Sequence, residues 1–194
     1  MMTTRVRLLA VLSIIMALGV MAIVATQTPA EAQHFAKNGI AFDYPSGWKL
    51  QEMNAEDTHD MVLTRANYDI QIIVTVHKGK TTQEKLPDAK KLFIDPYIKE
   101  RVKQFVSMGA TPQQAPDSAE IGGVKAEGVN ITASLGGETG AAKVYWAIVG
   151  QRVVVLTLFG PDTDLKRFAP AWELVRTTLK IEEPKPAASP SPKP

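Results

Sequence analysis

Cysteine is absent from this 194-residue sequence, and that gap excludes disulfides, thiolate metal sites, thiol nucleophiles and cysteine lipidation together. Histidine is scarce. His34, His59 and His77 are the three present, so few side chains could serve as a general base near neutral pH. The sequence contains no Gly-x-Ser-x-Gly elbow, His-Glu-x-x-His pair or lysine-bearing phosphate loop, which removes the common compact signatures of hydrolases and nucleotide-binding enzymes. A surplus of one charge is missing too. Lysine and arginine total 22 against 20 aspartates and glutamates, so no global field draws the chain to nucleic acid or to an anionic membrane. These gaps point away from an enzyme and away from a cofactor. A hydrolase whose catalytic set is scattered through the sequence is the enzymatic alternative.

What is present begins with a targeting pattern. Arg5 and Arg7 precede an apolar run from Leu8 to Ala25, and polar residues with small side chains at Ala30 and Ala32 follow. A basic, an apolar and a small-residue region in that order predict a signal peptide over residues 1–32, cleaved after Ala32. An uncleaved anchor is the alternative, since a spanning helix needs about 20 apolar residues. Either way the folded part is expected outside the cytoplasm of a bacterium, periplasmic or extracellular, with no stable membrane span once the signal is removed. At the other end, residues 183–194 alternate proline with alanine, serine and lysine. Such a segment cannot bury a core and is expected to be a disordered tail. Residues 33–182 are left as a single domain.

The most legible stretch of that domain runs from Val124 to Ile181. Val124 to Leu135, Ala141 to Val149 and Arg152 to Phe159 read as three strands, joined by glycine-containing turns at 136–140 and at Gly150-Gln151. The third strand is apolar at both of its alternating sets, which predicts cover on both faces. Leu165, Phe168, Trp172, Val175 and Leu179 then step by three and four. That spacing predicts a helix with one inward stripe, capped by Asp162 or Thr163 and kinked at Pro170. Upstream, Gly39 to Leu50 predicts strand, turn and strand around Pro45-Ser46-Gly47, and Met61 to Ala66 with Tyr68 to His77 predicts a hairpin. Pro87 to Met108 reads as helix in two pieces, restarted by Asp95-Pro96 with Asp95 as the cap. Its inward stripe is Ile94, Ile98, Val102, Phe105 and Val106, and Gly109 ends it. Thr111 to Ser118 is expected to be a connection. The fold class is therefore α+β, an antiparallel β-meander sheet flanked by helices.

Two surface features invite a binding role. Lys90, Lys91, Lys99, Arg101 and Lys103 are expected to form a basic face on the helical region, suited to an envelope protein or an anionic surface such as a lipid headgroup. The face lacks interleaved aromatics, which argues against nucleic acid. Gln51 to Asp60 reads as a polar loop carrying Glu52, Glu56, Asp57, His59 and Asp60. Carboxylates with a histidine can hold a divalent cation, but the spacing matches no defined loop, so a metal and a plain solvated loop stay as alternatives. His77 is expected on the polar face of its strand.

Three features resemble the PsbP-like superfamily: Phe42-x-Tyr44-Pro45-x-Gly47-Trp48, the glycine-punctuated meander from Gly122 to Phe159, and the closing helix with Trp172, Val175 and Leu179. That superfamily includes the extrinsic PsbP proteins of photosystem II, bacterial envelope proteins of the DcrB type and a eukaryotic Ran-binding branch. The resemblance implies a PsbP-like α/β sandwich whose members act by binding protein partners, without catalysis. It places no family functional residue on this chain, and the photosystem-binding N-terminal segment has no counterpart here. The expectation is an exported envelope protein acting as a non-catalytic binding or adaptor module. A carrier of an apolar ligand or lipid, held between sheet and helix, is the alternative.

Overall fold

The computed structural model describes residues 31–182. The expected signal peptide, apart from its last two positions, and the proline-rich tail lie outside the described residues. In chain order the elements are β1 (Ala32–Lys37), β2 (Ile40–Pro45), β3 (Trp48–Asn54), β4 (Thr58–Arg65), β5 (Gln71–Lys80), α1 (Leu86–Ala89), α2 (Asp95–Ser107), β6 (Gln113–Ile121), β7 (Val124–Leu135), β8 (Glu138–Val149), β9 (Arg152–Pro161), α3 (Asp162–Arg167), α4 (Ala169–Thr178) and β10 (Lys180–Ile181). A π-helical turn at Lys90–Ile94 joins α1 to α2. The strands form two antiparallel sheets, one of seven in the order β3-β4-β5-β9-β8-β7-β6 and one of three in the order β1-β2-β10.

The large sheet is covered on both faces, as the double apolar pattern of its central strand requires. Val154, Leu156 and Leu158 of β9 join Ile40 and Phe42 of the small sheet and Trp172 and Val175 of α4 in one core. Val153 and Val155, on the opposite face, join Trp146, Ile94 of the π-turn and Phe105 of α2 in a second. Each Val or Leu fully withdrawn from water contributes about 1.5–3 kcal/mol, so disturbing β9 weakens both cores at once. Thr157, fully buried on the α2 side, is satisfied by the Tyr97 hydroxyl at 2.9 Å, as a hydroxyl in a core must be.

Several expectations need correction. The first ordered element is β1, which begins at Ala32, seven residues ahead of the predicted start at Gly39. Its pairs Gln33↔Tyr44 to Lys37↔Ile40 were hidden because Phe35 is its one buried residue. Gln51 to Asp60 is no loop: β3 runs to Asn54, β4 starts at Thr58, and the Ala55 N–H to Thr58 carbonyl bond closes a tight turn. Thr111 to Ser118 holds most of strand β6. Pro116 is tolerated because β6 is an edge strand bonded only to β7.

Asp95 does not cap a new helix; its N–H bonds to the Lys90 carbonyl, and the backbone stays helical through the π-turn. That five-residue step sets the hydrogen-bond register immediately before Pro96, which has no donor of its own. Val106 is 56 % exposed while Ile94 and Phe105 are buried, so the α2 stripe is narrower than its periodicity suggested. Gly109, at φ +87°, does end the helix: its N–H bonds to Val106 and that of Ala110 to Phe105, the paired bonds of a Schellman motif. Neither Asp162 nor Thr163 caps α3, whose N-cap is Pro161. The break expected at Pro170 falls at Phe168, and Pro170 sits harmlessly in the first turn of α4.

Candidate functional site: a mixed-charge groove beneath the C-terminal helices

The five expected cations of the helical region divide into two groups. Lys91, Lys99 and Lys103 are exposed, and Lys103 pairs with Glu100 at 3.3 Å. Lys90 and Arg101 are half-buried. The Lys90 ammonium lies 2.6 Å from Asp95 and 5.6 Å from the Trp146 ring centre, and the Arg101 guanidinium sits 4.7 Å from the centre of the Tyr97 ring. A cation over an aromatic face is attracted to it, so these two side chains serve packing as well as charge.

The β3–β4 hairpin brings Glu52 and His59 together. His59 Nε2 is 3.0 Å from Glu52 Oε2, and Lys37 of β1 is 3.0 Å from the same oxygen. The hydrogen bond from Lys37 holds the Glu52 carboxyl below its usual pKa, with His59 adding to the effect and burial opposing it. The distance suits a base and its orienting carboxylate. His59 is only 3 % exposed, however, and meets Phe35 edge-on at 6.3 Å, so the trio ties strand β1 to the hairpin and leaves a substrate no way in. Thr58 pairs with His77 and His59 with Val76, so the two histidines face opposite sides of the sheet. His77 stacks on Phe93 at 4.3 Å with its Nδ1 buried and unpartnered. Burial lowers its pKa against the pull of Asp60 and Asp57. Among the described residues no three histidine, aspartate or glutamate side chains are arranged to hold a metal.

A more capable arrangement lies on the other side of the domain. A groove of about 450 Å³ is floored by Lys143 and Tyr145 of β8 and Leu158 of β9, walled by Ser118 and Ala119 of β6, and roofed by α3 and α4 through Asp162, Leu165, Lys166, Ala169, Trp172, Glu173 and Arg176. Its floor depends on a close approach. Gly128 of β7 stands between Tyr145 and Asp117 in the register, and a Cβ there would lie 2.4 Å from the Tyr145 ring. The bare glycine lets that ring cross the strand and donate its hydroxyl to Asp117 at 2.7 Å. Burial, then the bond to Asp117, raises the phenol pKa well above its usual value, so Tyr145 stays neutral. The walls carry paired charges: Arg176 with Glu173, and Lys166 with Asp162 at 3.7 Å. Arg176 also donates to the Glu120 carbonyl at 2.6 Å.

A second cleft, of about 220 Å³, opens between the end of α2 and the β7–β8 hairpin, lined by Phe105, Met108, Leu135 and Phe159 among others. It is the helix–sheet gap that an apolar carrier would use. Pockets that enclose a small molecule usually measure about 300–1,000 Å³, so the groove falls within that range and the cleft below it.

No protein-family model matches this sequence, and no curated protein matches it. Solved structures are similar in shape. The solution structure of cyanobacterial PsbP (CyanoP) from Synechocystis aligns over 84 % of this chain and all of its own at 12 % identity, with a TM-score of 0.50. The chain has a PsbP-like fold. Two further structures align at lower scores: a crystal structure from Bacteroides thetaiotaomicron (TM-score 0.48, 15 % identity, 78 % of this chain and 49 % of that one), and LpqN of Mycobacterium tuberculosis, involved in cell envelope biogenesis (0.41, 18 %, 78 % and 90 %). At such identities the likeness concerns fold alone.

Within the PsbP-like sandwich the large apolar residues that carried the sequence resemblance pack in or against one core. Phe42 is fully buried against Phe35, and Trp48 meets Phe168 edge-on. Lys143, Tyr145 and Asp117 were missed because they come from different strands with no shared motif. The available signal was Gly128, a glycine inside a twelve-residue strand, where a bare Cα often marks close approach by another group.

Proposed function

We propose that this chain is an exported binding module that performs no catalytic step, and that its ligand-facing surface is the groove under α3 and α4. The observation that carries this reading is the groove itself: five elements contribute to it, apolar and charged side chains converge, and its volume suits a small molecule. Export is supported by the sequence pattern at residues 1–32. Among the described residues no helix is long and apolar enough to cross a membrane.

The test is an NMR screen of the mature chain against a chemically mixed library of small molecules, followed through the Leu158 and Leu165 methyls and the Trp172 indole. Binding that moves these signals and spares Leu135 and Met108 is the expected result. Binding confined to Leu135 and Met108 would make the protein an apolar carrier, and no binding at either place would remove the module reading. The exposed Lys91, Lys99 and Lys103 support a second reading, contact with an anionic envelope partner. Charge reversal at Lys99 and Lys103 should then release the protein from anionic vesicles, and retention at low salt would refute it.

A further inference from the structure

The groove's charges do not close. Three cations, Lys143, Lys166 and Arg176, line it with two acids, Asp162 and Glu173. Arg176 is engaged by Glu173 and Lys166 by Asp162. Lys143 has no such partner among the described residues. It is half-buried on β8, directly opposite Asn130 of β7 on one side and Leu158 of β9 on the other. Asp117, on β6 across Gly128 from Tyr145, accepts the Tyr145 hydroxyl and is not part of the groove lining. Asn130 adds a second unmet group, a buried side-chain oxygen without a partner. Its amide can turn to present the NH₂ group to an acceptor instead. A half-buried ammonium and a buried amide both cost free energy until they are paired.

We propose that the groove binds a small amphipathic monoanion, a carboxylate on an apolar body, with the carboxylate on Lys143 and the body against Leu158, Leu165 and Trp172. This rests on the groove being the ligand-facing surface. The charge follows from the lining: one uncompensated positive charge is neutralised by one negative charge. A dianionic phosphate would be left half compensated, and it is usually gripped by an arginine fork; the Arg176 guanidinium is already committed to Glu173 and the Glu120 carbonyl. The apolar body follows from the apolar side chains that line the groove beside the charges, among them Leu158, Leu165 and Trp172.

The test compares octanoate, octanamide and inorganic phosphate as probes of the mature chain, by calorimetry and by the Leu158 and Leu165 methyl shifts. Octanoate should bind roughly tenfold or more tightly than octanamide, the loss expected when a charge-assisted bond becomes a neutral one, and phosphate should not compete. Lys143→Met should bring octanoate down to the octanamide level without lowering thermal stability, and Lys99→Met on the far face should change nothing. Equal binding of acid and amide, or an unaffected Lys143→Met variant, overturns the charge assignment and leaves the groove reading standing. If octanoate moves no groove methyl while members of the mixed library do, the ligand class is wrong and the module reading survives. If neither does, both fall.

Discussion

Gly128→Ala is the substitution that most directly tests the account of β7 and β8. The added Cβ would sit 2.4 Å from Tyr145 Cδ1, 2.8 Å from Cε1 and 2.9 Å from the Val144 carbonyl oxygen. Neither neighbour yields cheaply, because the ring atoms lie at the root of a packed side chain and the oxygen belongs to a strand. Overpacking of this kind costs about 1–3 kcal/mol. If the ring moves away, its 2.7 Å bond to Asp117 is lost, at about 1.5–3 kcal/mol for a hydrogen bond to a charged group. Alanine recovers about 0.5–1 kcal/mol in a strand through lower unfolded-state entropy. The balance is a net loss of about 2–5 kcal/mol, which for a domain of this size lowers Tm by about 5–15 °C. Thermal melts followed by the fluorescence of Trp172, whose ring lies 5.8 Å from that of Tyr145, report both the loss and the displacement. Tyr145→Phe separates the terms, since it removes the bond without crowding and should cost less than Gly128→Ala. A Gly128→Ala variant as stable as the parent, or more so, would refute the close-approach argument.

Two further predictions concern pH. Because burial lowers the His77 pKa from its ordinary 6.5, the unfolded chain binds the proton first; the stability this represents is complete above about 6.5 and is lost as pH falls below it. Tm of His77→Phe should therefore fall less than that of the parent between about pH 7.5 and 5, and an unchanged slope would place the titrating group elsewhere. The Glu52 carboxyl is held below its ordinary 4.5 chiefly by Lys37, so its contribution is present above that value and disappears as pH drops through it. Glu52→Gln should flatten only the acid limb and cost less than about 1 kcal/mol near neutrality, as for other solvent-reached ion pairs. Hydrogen exchange should show the loosening first in the β1 amides, and uniform loosening across the large sheet would contradict the tie between β1 and the hairpin.

Much of the fold was legible because its cores follow simple periods. The alternation in β9 and the three-and-four steps of Leu165, Phe168, Trp172, Val175 and Leu179 each predict a buried set that the structure contains. What failed did so where few positions are buried. Strand β1 buries Phe35 alone, and β6 buries little besides Ile121, so neither shows a periodic signal. In the β3–β4 hairpin, the inward positions 52 and 59 are taken by a glutamate and a histidine that satisfy each other, and polar residues at core-facing positions read as loop. The groove was hidden for a different reason. Lys143, Asn130 and Leu158 are neighbours only through strand pairing, and no sequence spacing expresses the register between three strands.

Gly128 links the fold to the site. Laid across Gly128 and fastened to Asp117, the Tyr145 ring forms part of the groove floor beside Lys143. One missing side chain therefore sets where the ring lies, and with it the floor of a groove that also holds Lys143. Tyr145→Phe separates the ring from its hydroxyl: the aromatic floor stays while the bond to Asp117 is lost. A fall in octanoate affinity in that variant, with the groove methyl signals otherwise in place, would show that the hydroxyl serves the site as well as the fold; unchanged affinity would restrict it to the fold.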